Sequence, residues 1–128
     1  MSIVHENLRY TQTHERVRRE ADGSVTMGLT DYAQHQMGEI VMVDNSGMGR
    51  DVRRGEPIGA LEAVKTAEDF YAPVDGKVTA VNTQLEADPG LVNSDCYGAG
   101  WLARIAPASP AQYDELLTAE QYRKLAGE

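Results

Sequence analysis

The chain of 128 residues carries 12 Lys and Arg against 20 Asp and Glu, a formal net charge of -8. That length suits one domain of roughly 100–200 residues, so a single unit over residues 1–128 is expected, and the negative charge disfavours nucleic acid and anionic membranes as partners. A single cysteine, Cys96, excludes an intramolecular disulfide and a cysteine-based zinc cluster, and no apolar run approaches the roughly 20 residues of a membrane span, so a cytoplasmic location is expected.

The first twenty residues, MSIVHENLRYTQTHERVRRE, hold no apolar stretch of signal-peptide length. Residues 16–29, RVRREADGSVTMGL, read as two strands joined at Asp22-Gly23, with Val25, Met27 and Leu29 alternating onto one face. Asp31 and Gln34 have the spacing of a helix-capping pair, and DYAQHQM then fits one or two helical turns ending at Gly38. EIVMVD, residues 39–44, reads as a strand closed by the turn residues NSGMG.

Two further apolar segments follow, GEPIGALEAV at 55–64 and YAPVDGKVTAV at 71–81, each read as a short strand with a turn. Their loose likeness suggests two half-sheets packed face to face. GWLARIAP, residues 100–107, closes the β region before Pro107. In the tail, Ser109-Pro110 offers a helix start, and Thr118 with Gln121 makes a capping box ahead of Tyr122 and Leu125. Short strands with Gly-rich turns and terminal helices predict a mainly β sandwich or flattened barrel with helices at its margin.

Lys65 falls between the two apolar segments, flanked by Glu62, Glu68 and Asp69. At a tight turn its four-carbon stem projects from the backbone, within reach of a modifying enzyme, and its charge is dispensable to the fold. A lysine near a turn is ordinarily no more than a solvated charge, so position alone assigns no role.

The blocks LRYTQTHERV, VTMGLTDYAQHQMGEIVMVD, GALEAVKTAEDFYAPVDGKVTAVN and LVNSDCYGAGWLARI, in that order, resemble the glycine cleavage system H proteins over nearly the whole chain. The resemblance implies a hammerhead, or barrel-sandwich hybrid, of two short antiparallel sheets with peripheral helices. In that family the lysine of an E-x-V-K stretch carries lipoate in amide linkage, matched here by Glu62, Val64 and Lys65, with Glu62, Val64 and Glu68 as the features a lipoate ligase or lipoyl transferase would recognise. The implied role is a non-enzymatic carrier. It shuttles the aminomethyl group of glycine between a pyridoxal-phosphate glycine decarboxylase and a tetrahydrofolate-dependent aminomethyltransferase, and dihydrolipoamide dehydrogenase reoxidises it. A cleft that shelters the loaded arm is implied at Glu15 and Asp69, with Thr13 and Tyr32 in blocks that bear on it. A monomer is expected, because a shuttle must expose its arm to successive partners.

The chain departs from the family at three points. Arg16 stands where the family usually has tryptophan, which is expected to place a cation near the cleft, and Cys96 stands in place of a proline, as buried filler. The loop NSGMGRDVRRG, with three arginines, is more basic than expected.

Other readings fit less well. Biotin carriers flank the lysine with methionines, whereas Val64 and Thr66 stand here. His14-Glu15 does not open an H-E-x-x-H zinc helix because residue 18 is arginine. A relay that passes lipoyl groups to other enzymes shares the same motifs, and an interaction module would leave Lys65 unmodified.

Overall fold

The computed structural model describes residues 2–127. Nine strands form two antiparallel sheets. The larger has the order β1-β2-β3-β9-β8-β5, built from Arg9–Tyr10, Glu15–Arg19, Val25–Leu29, Ala103–Pro107, Gly76–Val81 and Asp51–Val52. The smaller has the order β4-β6-β7, built from Ile40–Asp44, Pro57–Ala63 and Ala67–Tyr71. Five short helices lie between and around them: α1 Asp31–Met37, α2 Gln84–Ala87, α3 Leu91–Ser94, α4 Ala111–Asp114 and α5 Ala119–Leu125.

The hairpin β2–β3 turns at Asp22-Gly23 as the dipeptide predicts. Gly23 takes φ 88°, and the Asp22 carboxylate accepts from both the amide and the hydroxyl of Ser24. Val17 lies opposite Met27, and both are buried, so the alternating pattern points this pair into the core. Val78 and Ile105 join them from the large sheet and Leu102 from the segment just before β9, and Ile58, Leu61 and Phe70 face them from the small sheet. The two resembling segments of the sequence do fall in different sheets, β6 in one and β8 in the other.

Three local readings are corrected. The strand expected over 71–81 begins only at Gly76, and the partner of β6 is the acidic strand β7, AEDFY, which lacks the β-branched run of a sequence-visible strand. Helix α1 is capped by Thr30, whose hydroxyl accepts from the Ala33 amide, while Asp31 sits inside the first turn and accepts from the Gln34 side chain. Ser109 does not cap α4: Pro110 precedes that helix and makes no side-chain capping bond. The capping box of Thr118 and Gln121 at α5 is present in both directions.

The close approach of β4 to β6 depends on Gly59. A Cβ there would lie 2.2 Å from the Asp44 carbonyl oxygen and 2.8 Å from Phe70. The pairing also carries a bulge between Ile40 and Met42.

A second apolar cluster, Leu8, Tyr10, Ala119 and Tyr122, anchors α5 to β1. Tyr10 and Leu117 exchange backbone hydrogen bonds at 2.9 and 2.8 Å, and the Tyr10 and Tyr122 rings stack at 4.7 Å. The C-terminal helix is thereby fixed beside the loop that joins β1 to β2.

Candidate functional site

Strands β6 and β7 form a hairpin whose tip is Val64, Lys65 and Thr66, closed by the Ala63 amide donating to the Thr66 carbonyl at 2.7 Å. The Val64 amide donates to the Glu39 carbonyl at 3.2 Å, tying the tip to the start of β4. All three tip residues are exposed, as are Glu62, Glu68 and Asp69. The Lys65 side chain makes no hydrogen bond or ion pair with any described residue. Its amine is therefore free to be acylated without loss of a structural contact.

On the β7 side of this hairpin, Thr13, Glu15, Tyr32, Glu68 and Asp69 line one cavity of about 250 Å³, between the β1–β2 loop, α1 and β7. A neighbouring hollow of about 600 Å³ shares Thr13, Glu68 and Asp69 with it and runs along β7 to Tyr71. Lys65, Glu62 and Val64 are not among its lining residues. They sit at the hairpin end, from which β7 leads into the cleft.

Glu15 forms the floor and is 1% exposed. Its Oε1 accepts from the hydroxyls of Thr11 and Thr13, each at 2.5 Å, and its Oε2 accepts from the Tyr71 amide at 3.3 Å. The last contact caps the free edge of β7 with a side chain where a ladder partner is missing. Burial pushes the Glu15 carboxyl up to about 7, against these three hydrogen bonds, which favour the charged form. Asp69 belongs to the exposed rim, so the two acids paired by sequence differ in depth.

The wall above Glu15 is His14, the one described non-glycine residue with positive φ, at 69°. That conformation is uncommon and persists where surrounding contacts over-determine it. Here the His14 Nδ1 shares a hydrogen bond with the Tyr122 hydroxyl at 2.8 Å, and the ring packs on Tyr32 at 4.9 Å between centroids. Burial lowers the His14 pKa, which favours the neutral imidazole. The Tyr122 hydroxyl also shares a hydrogen bond with the Thr30 hydroxyl, which accepts from the Ala33 amide, so His14, Tyr122 and Thr30 form one connected network. Thr11, His14, Thr30 and Tyr122 were not singled out from the sequence as cleft residues. The two-residue spacing of Thr11, Thr13 and Glu15 is a visible signal, whereas Tyr122 lies 108 residues from His14 and leaves none.

Arg16 does not approach the cleft as its sequence position suggested. It follows Glu15 in β2, so its side chain leaves the opposite face of the strand. There it is 1% exposed, packs against Gly28 and donates through Nε and Nη2 to the Cys96 carbonyl at 3.1 and 3.0 Å. Its Nη1 has no partner. Cys96 is buried, and burial pushes its thiol up to about 11. In the basic loop, Arg54 pairs with Glu115 at 2.9 Å. Among the described residues no group of three His, Cys, Asp or Glu is arranged to hold a metal ion, and no helix is long and apolar enough to cross a membrane.

Residues 8–128 match the family model described as glycine cleavage H-protein. The chain belongs to the glycine cleavage H-protein family. A glycine cleavage system H protein from Thiobacillus denitrificans is 50% identical over 119 residues, covering 93% of this chain and 92% of the relative. One from Halorhodospira halophila is 46% identical over 128 residues, covering 100% and 98%. The crystal structure of a glycine cleavage system H protein from Mycobacterium marinum superposes with a TM-score of 0.87 at 35% identity, covering 98% of this chain and all of that one. The chain is thus a lipoyl carrier of the glycine cleavage system, a carrier and not an enzyme.

Proposed function

We propose that Lys65 is the residue that bears lipoate, and that the cleft beside β7 shelters the loaded end of the arm. The observation that carries this reading is the free, exposed amine of Lys65 at the tip of the hairpin whose second strand forms one wall of an acid-lined cavity. Asp69 is four residues along β7 from Lys65, about 13 Å at the rise of a strand, and a lysine stem lengthened by the acyl chain of lipoate spans that distance. Bound there, lipoate supplies a disulfide that accepts the aminomethyl group of glycine as it is reduced and is later reoxidised.

The residues of this chain do the rest. Asp69 at the rim meets the cationic amine of the cargo first, and Glu15 offers it a desolvated carboxylate below. Thr11 and Thr13 hold that carboxylate in place, and Leu29, Met37 and Leu61 exclude water from the labile carbon. The partners of this reading are a lipoate ligase or lipoyl transferase, the pyridoxal-phosphate glycine decarboxylase, the tetrahydrofolate-dependent aminomethyltransferase and dihydrolipoamide dehydrogenase. Glu62, Val64 and Glu68 are the features the ligase or transferase recognises.

The test is tryptic mapping of protein produced with a lipoate ligase and lipoate. Acylation of Lys65 blocks cleavage after it and joins residues 55–65 and 66–77 into one peptide of lipoyl-increased mass. Unmodified 55–65 and 66–77 peptides from such cells would refute the assignment.

A further inference from the structure

The hairpin that carries Lys65 has two flanks of opposite character. The cleft and its acids lie on the β7 side, whereas the β4 side and the outward face of the small sheet are apolar at the lysine end. Met42 pairs with Glu62, and Glu62 pairs with Ala67, so these three make one outward row. Val64 stands two residues beyond Glu62, across the inward Ala63, and shares that face. The bulge between Ile40 and Met42 inserts an extra residue and leaves Val41 and Met42, neighbours in sequence, both outside. Their exposures are 45% for Val41, 52% for Met42 and 67% for Val64, among the few large apolar side chains that the protein leaves in water.

Resting on the assignment of Lys65 as the acylated residue, we infer that Val41, Met42 and Val64 form the surface on which the lysine-acylating enzyme docks. Reach selects this occupant. An enzyme that joins an activated lipoyl group to the bare amine must bring the acyl carbon within one lysine stem of the backbone, so it covers the residues around the tip. Enzymes that act on the far end of the completed arm work at a greater distance and can leave this face uncovered. The amine loses a proton and attacks the acyl carbonyl; the C–N bond forms as the bond to the activating adenylate or thioester group breaks. Docking on the β4 flank also keeps the acid-lined cleft open for the arm once the product leaves.

Charge sets the complement. Lys65 is the only cation in β4 and in the whole β6–β7 hairpin, and exposed Glu39, Asp44 and Glu62 surround the apolar residues. The partner that fits is an apolar depression with a basic rim around its acyl-transfer centre, an arrangement that steers association and gives register.

The double variant Val41→Lys, Met42→Lys tests this, since exposed edge positions accept lysine without loss of fold, which an unchanged melting temperature verifies. Lipoate ligase kinetics on the unlipoylated variant are expected to show a KM raised at least tenfold with kcat unchanged. After acylation is driven to completion with excess ligase, the KM of glycine decarboxylase for the variant is expected to stay within twofold of wild type. An unchanged ligase KM overturns the proposal. So does a rise in the decarboxylase KM, which would give the surface to that enzyme. Wild-type protein run alongside separates the two levels: if it is not acylated at Lys65, the attachment reading fails together with this one.

Discussion

The Tyr122 hydroxyl lies 2.8 Å from His14 Nδ1, joining the C-terminal helix to the residue directly before Glu15. The same hydroxyl is 2.7 Å from Thr30, the N-cap of α1, so one atom ties together two walls of the cleft. Tyr122→Phe keeps the stack on Tyr10 and removes only the hydroxyl. It leaves the buried Thr30 hydroxyl and the half-buried His14 Nδ1 each short of a partner, a cost of about 1–3 kcal/mol. The expected outcome is unchanged lipoylation of Lys65 with faster loss of the aminomethyl group from the loaded protein, followed as formaldehyde release. Equal release rates at equal loading would show that Tyr122 only packs.

Glu15 predicts a pH dependence of stability. Its folded-state pKa of about 7 lies above the ordinary glutamate value of 4.5, so between these pH values the folded protein holds a proton that the unfolded chain has lost. Stability from this group is present below about pH 4.5 and is lost as pH rises through 7, by ~3 kcal/mol at most. Glu15→Gln removes this loss. Urea denaturation at pH 5 and pH 8 is expected to show a fall for wild type that is smaller in the variant, and parallel falls would contradict the burial of an ionisable Glu15.

Arg16 is a buried cation with two bonds to one carbonyl and an unpartnered Nη1, and burial lowers its pKa. Replacing a buried ion by an apolar group of similar volume is often neutral or stabilising by about 1–4 kcal/mol. Arg16→Met is therefore expected to melt at or above the wild-type temperature, with lipoylation and cargo retention unchanged, because Arg16 does not line the cleft. A lower melting temperature would show that its bonds to Cys96 outweigh its desolvation.

Cys96 is expected to be inert in the native protein. Its thiol is buried and pushed up to about 11, so little thiolate is present near neutral pH. Labelling with a thiol-disulfide reagent at pH 8 should be slow in buffer and complete in denaturant. Fast native labelling would show that the segment around Cys96 opens.

What the sequence made legible follows from where the physical signal is local. The Asp22-Gly23 turn, the alternation of Val25, Met27 and Leu29 and the Thr118–Gln121 capping box each write their structure within a few residues, and each is found as read. Strand β7 was missed because AEDFY opens with acids and lacks the β-branched run that marks a strand in sequence. Lys65 drew attention through the family pattern around it, since one lysine near a turn is otherwise unremarkable. Thr13, Glu15, Tyr32, Glu68 and Asp69, noted in separate sequence blocks, line one cavity. The support beneath them was hidden, because the contact of Tyr122 with His14 depends on how α5 docks. The side on which Arg16 lies was readable in principle: adjacent residues of a strand face opposite ways, so a cleft position for Glu15 already turns Arg16 away.

The central claim is that Lys65 carries the aminomethyl group of glycine on a lipoyl arm. The most direct measurement is the mass of the 55–77 tryptic peptide from lipoylated protein after incubation with glycine and the pyridoxal-phosphate decarboxylase, trapped before the transferase is added. A lipoyl peptide that gains an aminomethyl mass, and loses it once the aminomethyltransferase and tetrahydrofolate are supplied, is the predicted result. A lipoyl peptide whose mass does not change with glycine, while the decarboxylase loads a wild-type relative in the same conditions, would contradict it.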